Sequence, residues 1–157
     1  MYPGFIKKDF PTAQVIGIDV CSEALYVAAE NALTHETDIE LLLVDFLNKE
    51  EWEKLGIFDI IVSNPPYVPK KDKAAMHPNV LNFEPHKALF VPDNDALIFY
   101  EAIAAFGKYH LSPKGVIYVE IHESLGTEVA ALFQKNEYLA EVKKDMQGKD
   151  RMIKVRF

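Results

Sequence analysis

Asn64-Pro65-Pro66-Tyr67 follows directly on the apolar run Phe58-Asp59-Ile60-Ile61-Val62-Ser63, and its residue types are suited to holding a planar nitrogen. An amide or exocyclic amine nitrogen is a poor nucleophile because its lone pair is delocalised. A site that alkylates it must fix the two N–H groups and aim the lone pair at an electrophilic methyl. The side-chain oxygen of Asn64 and the backbone carbonyl of Pro65 can accept those N–H bonds, and the Tyr67 ring can pack on the planar group. The two prolines stiffen the corner, so the gain is orientation and electrostatic pre-organisation, and no general base is needed before the methyl moves. As an isolated tetrapeptide, the same run also reads as a rigid turn after a strand.

Two acids end apolar runs further upstream. Asp19, with Val20 beside it, closes Gln14-Val15-Ile16-Gly17-Ile18, the place where nucleotide-binding α/β folds set an acid against ribose hydroxyls. Asp45, followed by Phe46, closes the run at residues 39–44 and is a candidate for contact with an adenine ring. Both acids can equally serve as turn or helix-cap residues. The histidines, His35, His77, His86, His110 and His122, show no paired spacing with cysteines or carboxylates that would define a metal site. No metal is expected. His122-Glu123 at a strand end reads as solvent-facing, with a polar pocket as the alternative. Lys70-Lys71-Asp72-Lys73 reads as a solvated loop, with an acidic partner as the alternative.

These residues need a scaffold of alternating strands and helices. A strand ending at Asp19 is followed by a helix opened by Ser22, with Leu25, Ala28, Ala29, Ala32 and Leu33 at helical spacing. A second strand over 39–44 and a short helical stretch at 50–55 repeat the unit, and a third strand halts at the prolines, which cannot donate to a sheet ladder. Residues 68–93 carry four prolines without periodicity, too long for a plain connection, and are expected to shape a substrate pocket. Asp93 is a candidate cap for a helix buried through Leu97, Ile98, Phe99, Ile103 and Phe106. Ser112-Pro113-Lys114-Gly115 is expected to turn into a strand at 116–121, a further helix occupies about 127–135, and residues 138–143 and 152–157 pair as an antiparallel hairpin. The sum is α/β, a mostly parallel sheet with an antiparallel C-terminal edge.

Length and charge narrow the function further. At 157 residues the chain is expected to be one domain. Its 17 Lys and Arg against 24 Asp and Glu give a net charge of −7, which argues against a stable grip on a nucleic-acid backbone. Cys21 is the single cysteine and no secretion signal is visible, so a cytoplasmic location is expected. No apolar run approaches the roughly 20 residues a membrane span requires.

From about Phe5 onward the chain resembles the release-factor glutamine methyltransferases, the HemK/PrmC family. The resemblance is carried by Val15-Ile16-Gly17-Ile18-Asp19, by Phe58 to Tyr67, by Phe83-Glu84-Pro85 with Ala88-Leu89, by Tyr118-Val119-Glu120-Ile121 and by Gly148-Lys149-Asp150-Arg151. It implies a class I (Rossmann-like) methyltransferase sheet using S-adenosylmethionine, held by Asp19, Val20, Asp45, Phe46 and Asn64. It also implies a substrate site of Asn64, Pro65, Pro66, Tyr67, Glu84 and Pro85, with Asn64, Pro65 and Tyr67 around the amide. The implied substrate is a glutamine of a peptide chain release factor. Glu84-Pro85 favours protein over DNA adenine as acceptor, although the tetrad also occurs in adenine-N6 DNA methyltransferases. The chain departs from the family at its start, where neither the glycine-rich first strand nor the helical N-terminal domain is found. Residues 1–157 are therefore expected to form a truncated catalytic domain lacking its first strand, with weak or no cofactor affinity. The incomplete sheet could associate with a second copy, and a non-catalytic, partner-binding remnant is the rival reading.

Overall fold

The computed structural model describes residues 3–69, 90–91 and 95–157. The chain divides into two compact units, Met1–Leu55 and Gly56–Phe157. No helix among the described residues is long and apolar enough to cross a membrane.

The first unit contains α1 (Pro3–Asp9), β1 (Ile16–Asp19), α2 (Ser22–Thr34), β2 (Glu40–Leu43) and a 3₁₀ turn at Lys49–Lys54. β1 and β2 pair in parallel from Ile16↔Glu40 to Asp19↔Leu43. Parallel neighbours cannot be joined by a tight hairpin, and α2 supplies the crossover. The ladder runs one step beyond the strands, where the Val44 N–H donates to the Asp19 carbonyl at 3.0 Å, and Val44 is buried with Trp52 and Leu55. A side chain at Gly17 would meet Leu41 at 2.9 Å and Pro3 at 3.1 Å, so glycine lets α1 lie close against β1.

The second unit contains β3 (Phe58–Ser63), β4 (Val68–Pro69), β5 (Phe90–Val91), α3 (Ile98–His110), β6 (Leu111–Glu120), α4 (Gly126–Lys135), β7 (Leu139–Lys144) and β8 (Asp150–Arg156). Its main sheet has the order β3-β6-β8-β7, with β3 parallel to β6 and the last two strands antiparallel. β4 and β5 make a separate parallel pair within the stretch expected to be loop. Ile117, Val119, Ile121, Ile153 and Val155 are fully buried, together with Val129 and Phe133 of α4 and Tyr100 of α3. Alternate residues of β6 and β8 thus feed the core, as strand periodicity requires.

The α/β class, the parallel units and the antiparallel C-terminal edge match the sequence reading. Ser112-Pro113-Lys114-Gly115 does not form a turn ahead of the strand. It lies inside β6, where the register with β3 moves from Phe58↔Leu111 to Ile60↔Val116. Ser112 Oγ donates to Asp59 Oδ1 at 2.8 Å, and a side chain at Gly115 would stand 2.6 Å from Leu111. The extra residues make an irregularity that the ladder absorbs. In the C-terminal hairpin, Asp145 Oδ1 accepts from the N–H groups of Gln147 and Lys149, and Gly148 takes φ +82°. Those hydrogen bonds, that of Lys149 foremost, hold the Asp145 carboxyl below its usual range.

Tyr138 ties the hairpin to α3. Its buried hydroxyl donates to the Ala104 carbonyl at 2.9 Å, and its ring stacks on Phe157. Burial pushes the phenol up to about 12. A raised phenol pKa means the fold favours the neutral form. That stability is complete below pH about 10 and is lost as pH climbs through about 12. Urea melts should therefore show the wild-type chain weakening across that window. Tyr138→Phe should be about 1 kcal/mol less stable at neutral pH but should lose less on alkalinisation, and an unchanged slope would assign the effect elsewhere.

Candidate active site

Parallel pairing sets Ser63 opposite Val119, so the chain leaves β3 and β6 at the same end of the sheet. The diproline corner occupies the end of β3. Pro65 is buried, Pro66 and Tyr67 are half-buried and Asn64 is exposed. Among the described residues the Asn64 side chain makes no hydrogen bond. The Tyr67 ring lies 5.7 Å from the His122 ring, the planes 51° apart. Tyr100 is fully buried and donates its hydroxyl to the Glu120 carbonyl at 3.2 Å. Burial drives its phenol far up, and the neighbouring Tyr67 and Glu120 add to the shift.

His122 is the residue whose surroundings depart from the sequence reading. It is half-buried and packs on Tyr67 instead of facing solvent. The signal was its position just past a strand end, but nothing in the linear sequence shows that this strand adjoins the one ending in Asn-Pro-Pro-Tyr. Glu123 does face water. It pairs with Lys149 at 2.6 Å, and that hydrogen bond lowers its carboxyl pKa. Glu84, Pro85, Asp93 and Lys70 to Lys73 lie outside the described residues.

In the first unit, Asp19 ends β1 and Asp45 follows β2, at the same end of that sheet. Asp19 Oδ1 accepts from the Cys21 N–H at 2.8 Å and thereby shapes the entry to α2. Its other oxygen makes no hydrogen bond among the described residues. Val20 beside it is 53% exposed. Asp45 is exposed and its Oδ1 accepts from the Leu47 N–H at 3.0 Å. Phe46 is half-buried, with its carbonyl held by the Trp52 indole N–H at 2.9 Å and its ring 5.7 Å from the indole. Two acids and two apolar side chains at one sheet end suit a ligand with vicinal hydroxyls and a flat ring. No three His, Cys, Asp or Glu side chains among the described residues gather as a metal site.

Residues 4–83 match the methyltransferase small domain family. The chain is 45% identical over 153 residues to the release factor glutamine methyltransferase of Flavobacterium psychrophilum, the match covering 97% of this chain and 53% of that protein. It spans about half the length of such curated relatives. Among solved structures, a ribosomal protein L11 methylase from Lactobacillus delbrueckii subsp. bulgaricus aligns with TM-score 0.65 at 18% identity, covering 97% of this chain and 62% of the other. A protein-(glutamine-N5) methyltransferase (release factor-specific) from Alicyclobacillus acidocaldarius subsp. acidocaldarius aligns with TM-score 0.51 at 24% identity, covering 91% and 78%. These likenesses establish the class I methyltransferase fold.

The turn role of Asp19 can be separated from any ligand role. Asp19→Asn keeps an oxygen for the Cys21 N–H, whereas Asp19→Ala removes it. The alanine variant should lose about 0.5–1 kcal/mol and speed hydrogen exchange at the Cys21 amide. The asparagine variant should stay close to wild type, and equal destabilisation by both would show that charge, not the hydrogen bond, matters to the turn.

Proposed function

We propose, from the premise that this chain belongs to the methyltransferase small domain family, that it takes part in S-adenosylmethionine-dependent N5-methylation of a glutamine side chain in a peptide chain release factor. The observation that carries this reading is the corner itself: an exposed Asn64 amide with no internal partner among the described residues, next to a buried Pro65 and a half-buried Tyr67 ring. The likeness to release factor glutamine methyltransferases favours glutamine over other planar nitrogens. A translation factor as substrate also fits a cytoplasmic setting.

The first unit has the chemistry to hold the cofactor. The Asp19 oxygen not used by Cys21 can accept from ribose hydroxyls, and Val20, Asp45 and Phe46 can receive the base. What the cofactor supplies when bound is an electrophilic methyl on a sulfonium. The chain's own residues do the rest by orientation. Asn64 Oδ1 and the Pro65 carbonyl accept the two N–H bonds of the amide, so its plane is fixed and its nitrogen gains electron density. The Tyr67 ring covers one face of that plane and limits rotation. Neither role needs a charged base, and the surplus proton can pass to water after transfer.

A second reading, association of two copies through a strand edge, is favoured by one observation. Among the described residues β3 pairs only with β6, and its Ile60 and Val62 are 60% and 37% exposed. An unpaired edge with apolar neighbours invites pairing. Light scattering on the eluting chain separates the two readings: a monomer removes the second.

The main reading is tested by incubating the chain with radiolabelled S-adenosylmethionine and either release factor or DNA. Slow labelling of a release-factor glutamine is expected, in keeping with the weak cofactor affinity expected of this chain, and label in DNA alone would transfer the reading to adenine. Asn64→Ala should cut turnover at least about 100-fold with cofactor affinity by calorimetry nearly unchanged. Asp19→Asn should do the reverse, weakening cofactor binding first. Equal loss of both quantities in Asn64→Ala would contradict a role confined to the acceptor.

A further inference from the structure

The reaction outlined above gives work to Asn64, Pro65 and Tyr67 and none to His122, although the Tyr67 and His122 rings are in contact. His122 is held at both its main chain and its ring. Its carbonyl accepts from the Leu125 N–H at 2.9 Å. Its Nδ1 stands 3.3 Å from the Ser124 N–H and 2.8 Å from Ser124 Oγ. A backbone N–H can only donate, so Nδ1 carries a lone pair, the Ser124 hydroxyl donates to it as well, and the neutral ring keeps its proton on Nε2. Main chain and ring are therefore both fixed. The ring meets Tyr67 with centroids 5.7 Å apart and planes tilted by 51°, within the spacing of favourable aromatic pairs.

We propose that His122 is a positioning residue, which holds the Tyr67 ring at the tilt needed to lie on the planar acceptor group. This rests on the acceptor role proposed for Tyr67. Tyr67 leaves the sheet on an irregular segment, and the ring contact with His122 narrows the χ1 wells open to it. An acceptor that rocks with the ring loses alignment, and small displacements cost rate steeply. In this role His122 touches Tyr67 and not the substrate, and it moves no proton.

The test has a spectroscopic and a kinetic arm, both on the whole chain. With ring-labelled tyrosine, the Tyr67 signal is identified by its loss in Tyr67→Phe. It should move from its wild-type position in His122→Ala and His122→Asn, and stay near that position in His122→Phe, which keeps a ring. Nitrogen spectra of the imidazole should show protonation at Nε2. In methyl transfer to release factor, His122→Ala and His122→Asn should lower kcat about tenfold with KM for the methyl donor unchanged, and His122→Phe should recover most of the loss. A Tyr67 signal unmoved by His122→Ala, a proton on Nδ1, an unchanged kcat, or rescue by asparagine but not phenylalanine each overturns the proposal. Absence of methyl transfer in the wild-type chain would instead reject the proposed function. The spectra would still decide whether His122 holds Tyr67.

Discussion

Two parallel strands must end on the same side of a sheet, and in the second unit that constraint governs everything at the candidate site. β3 and β6 run in register from Ile60↔Val116 to Ser63↔Val119, so the segment after Ser63 and the segment after Glu120 emerge as neighbours. The second of these is anchored from below. Ile117, Val119 and Ile121 are fully buried against Ile153 and Val155, and the Ile121 N–H donates to the Arg151 carbonyl at 3.0 Å, which extends the pairing with β8 past the end of β6. The turn at His122 thus stands on a packed strand, and the corner at Asn64 ends the edge strand paired with it. Sites of this kind combine a mobile position in sequence with a rigid one in space.

The helices of this unit reinforce the same end. Tyr100, near the start of α3, is inaccessible to solvent and hydrogen-bonds the carbonyl of Glu120, so α3 is fastened to the last residue of β6. At the start of α4, a side chain on Gly126 would stand 2.5 Å from Asp150 Oδ2. That closeness sets a carboxylate against the positive end of a helix, and Lys144 balances its other oxygen at 2.7 Å. The turn from Ile121 to Gly126 is consequently held at both ends. The Gly148-Lys149-Asp150-Arg151 run that contributed to the family resemblance has its visible work here, in closing the hairpin and seating α4.

Much of this was legible in the linear sequence because strands and prolines leave local marks. The apolar runs ending at Asp19, Asp45 and Asn64, the helix from Ser22 and the terminal hairpin all follow from periodicity and turn residues within a few positions of each other. What was hidden depends on contacts between distant residues. The irregularity at Ser112 to Gly115 exists because Ser112 reaches Asp59 and Gly115 must clear Leu111, neither of which a turn-like Ser-Pro-Lys-Gly run announces. His122 looked solvated because charged and titratable residues usually stay in water, whereas its neighbour in space is the ring of Tyr67. The Asp19 hydrogen bond to Cys21 is local and could have been anticipated, since acids at strand ends commonly accept from the N–H two residues on.

Why asparagine stands at position 64 follows from the same logic. Asparagine usually favours turns because its side-chain oxygen accepts from a backbone N–H two residues later. Here that residue is Pro66, and the intervening residue is Pro65, so neither has an N–H to give. The diproline strips the corner of nearby donors just where it supplies two oxygen acceptors, the Asn64 amide and the Pro65 carbonyl. A corner built only to reverse the chain would gain from a side chain that stabilises it, yet Asn64 is exposed and makes no hydrogen bond with the described residues. Pro65, which is buried, and Pro66 supply the stiffness without it. Among the described residues, then, the asparagine does nothing for the turn, which agrees with the acceptor role proposed for it. A planar N–H group lying over Tyr67, as proposed, would supply the donors that the two prolines withhold.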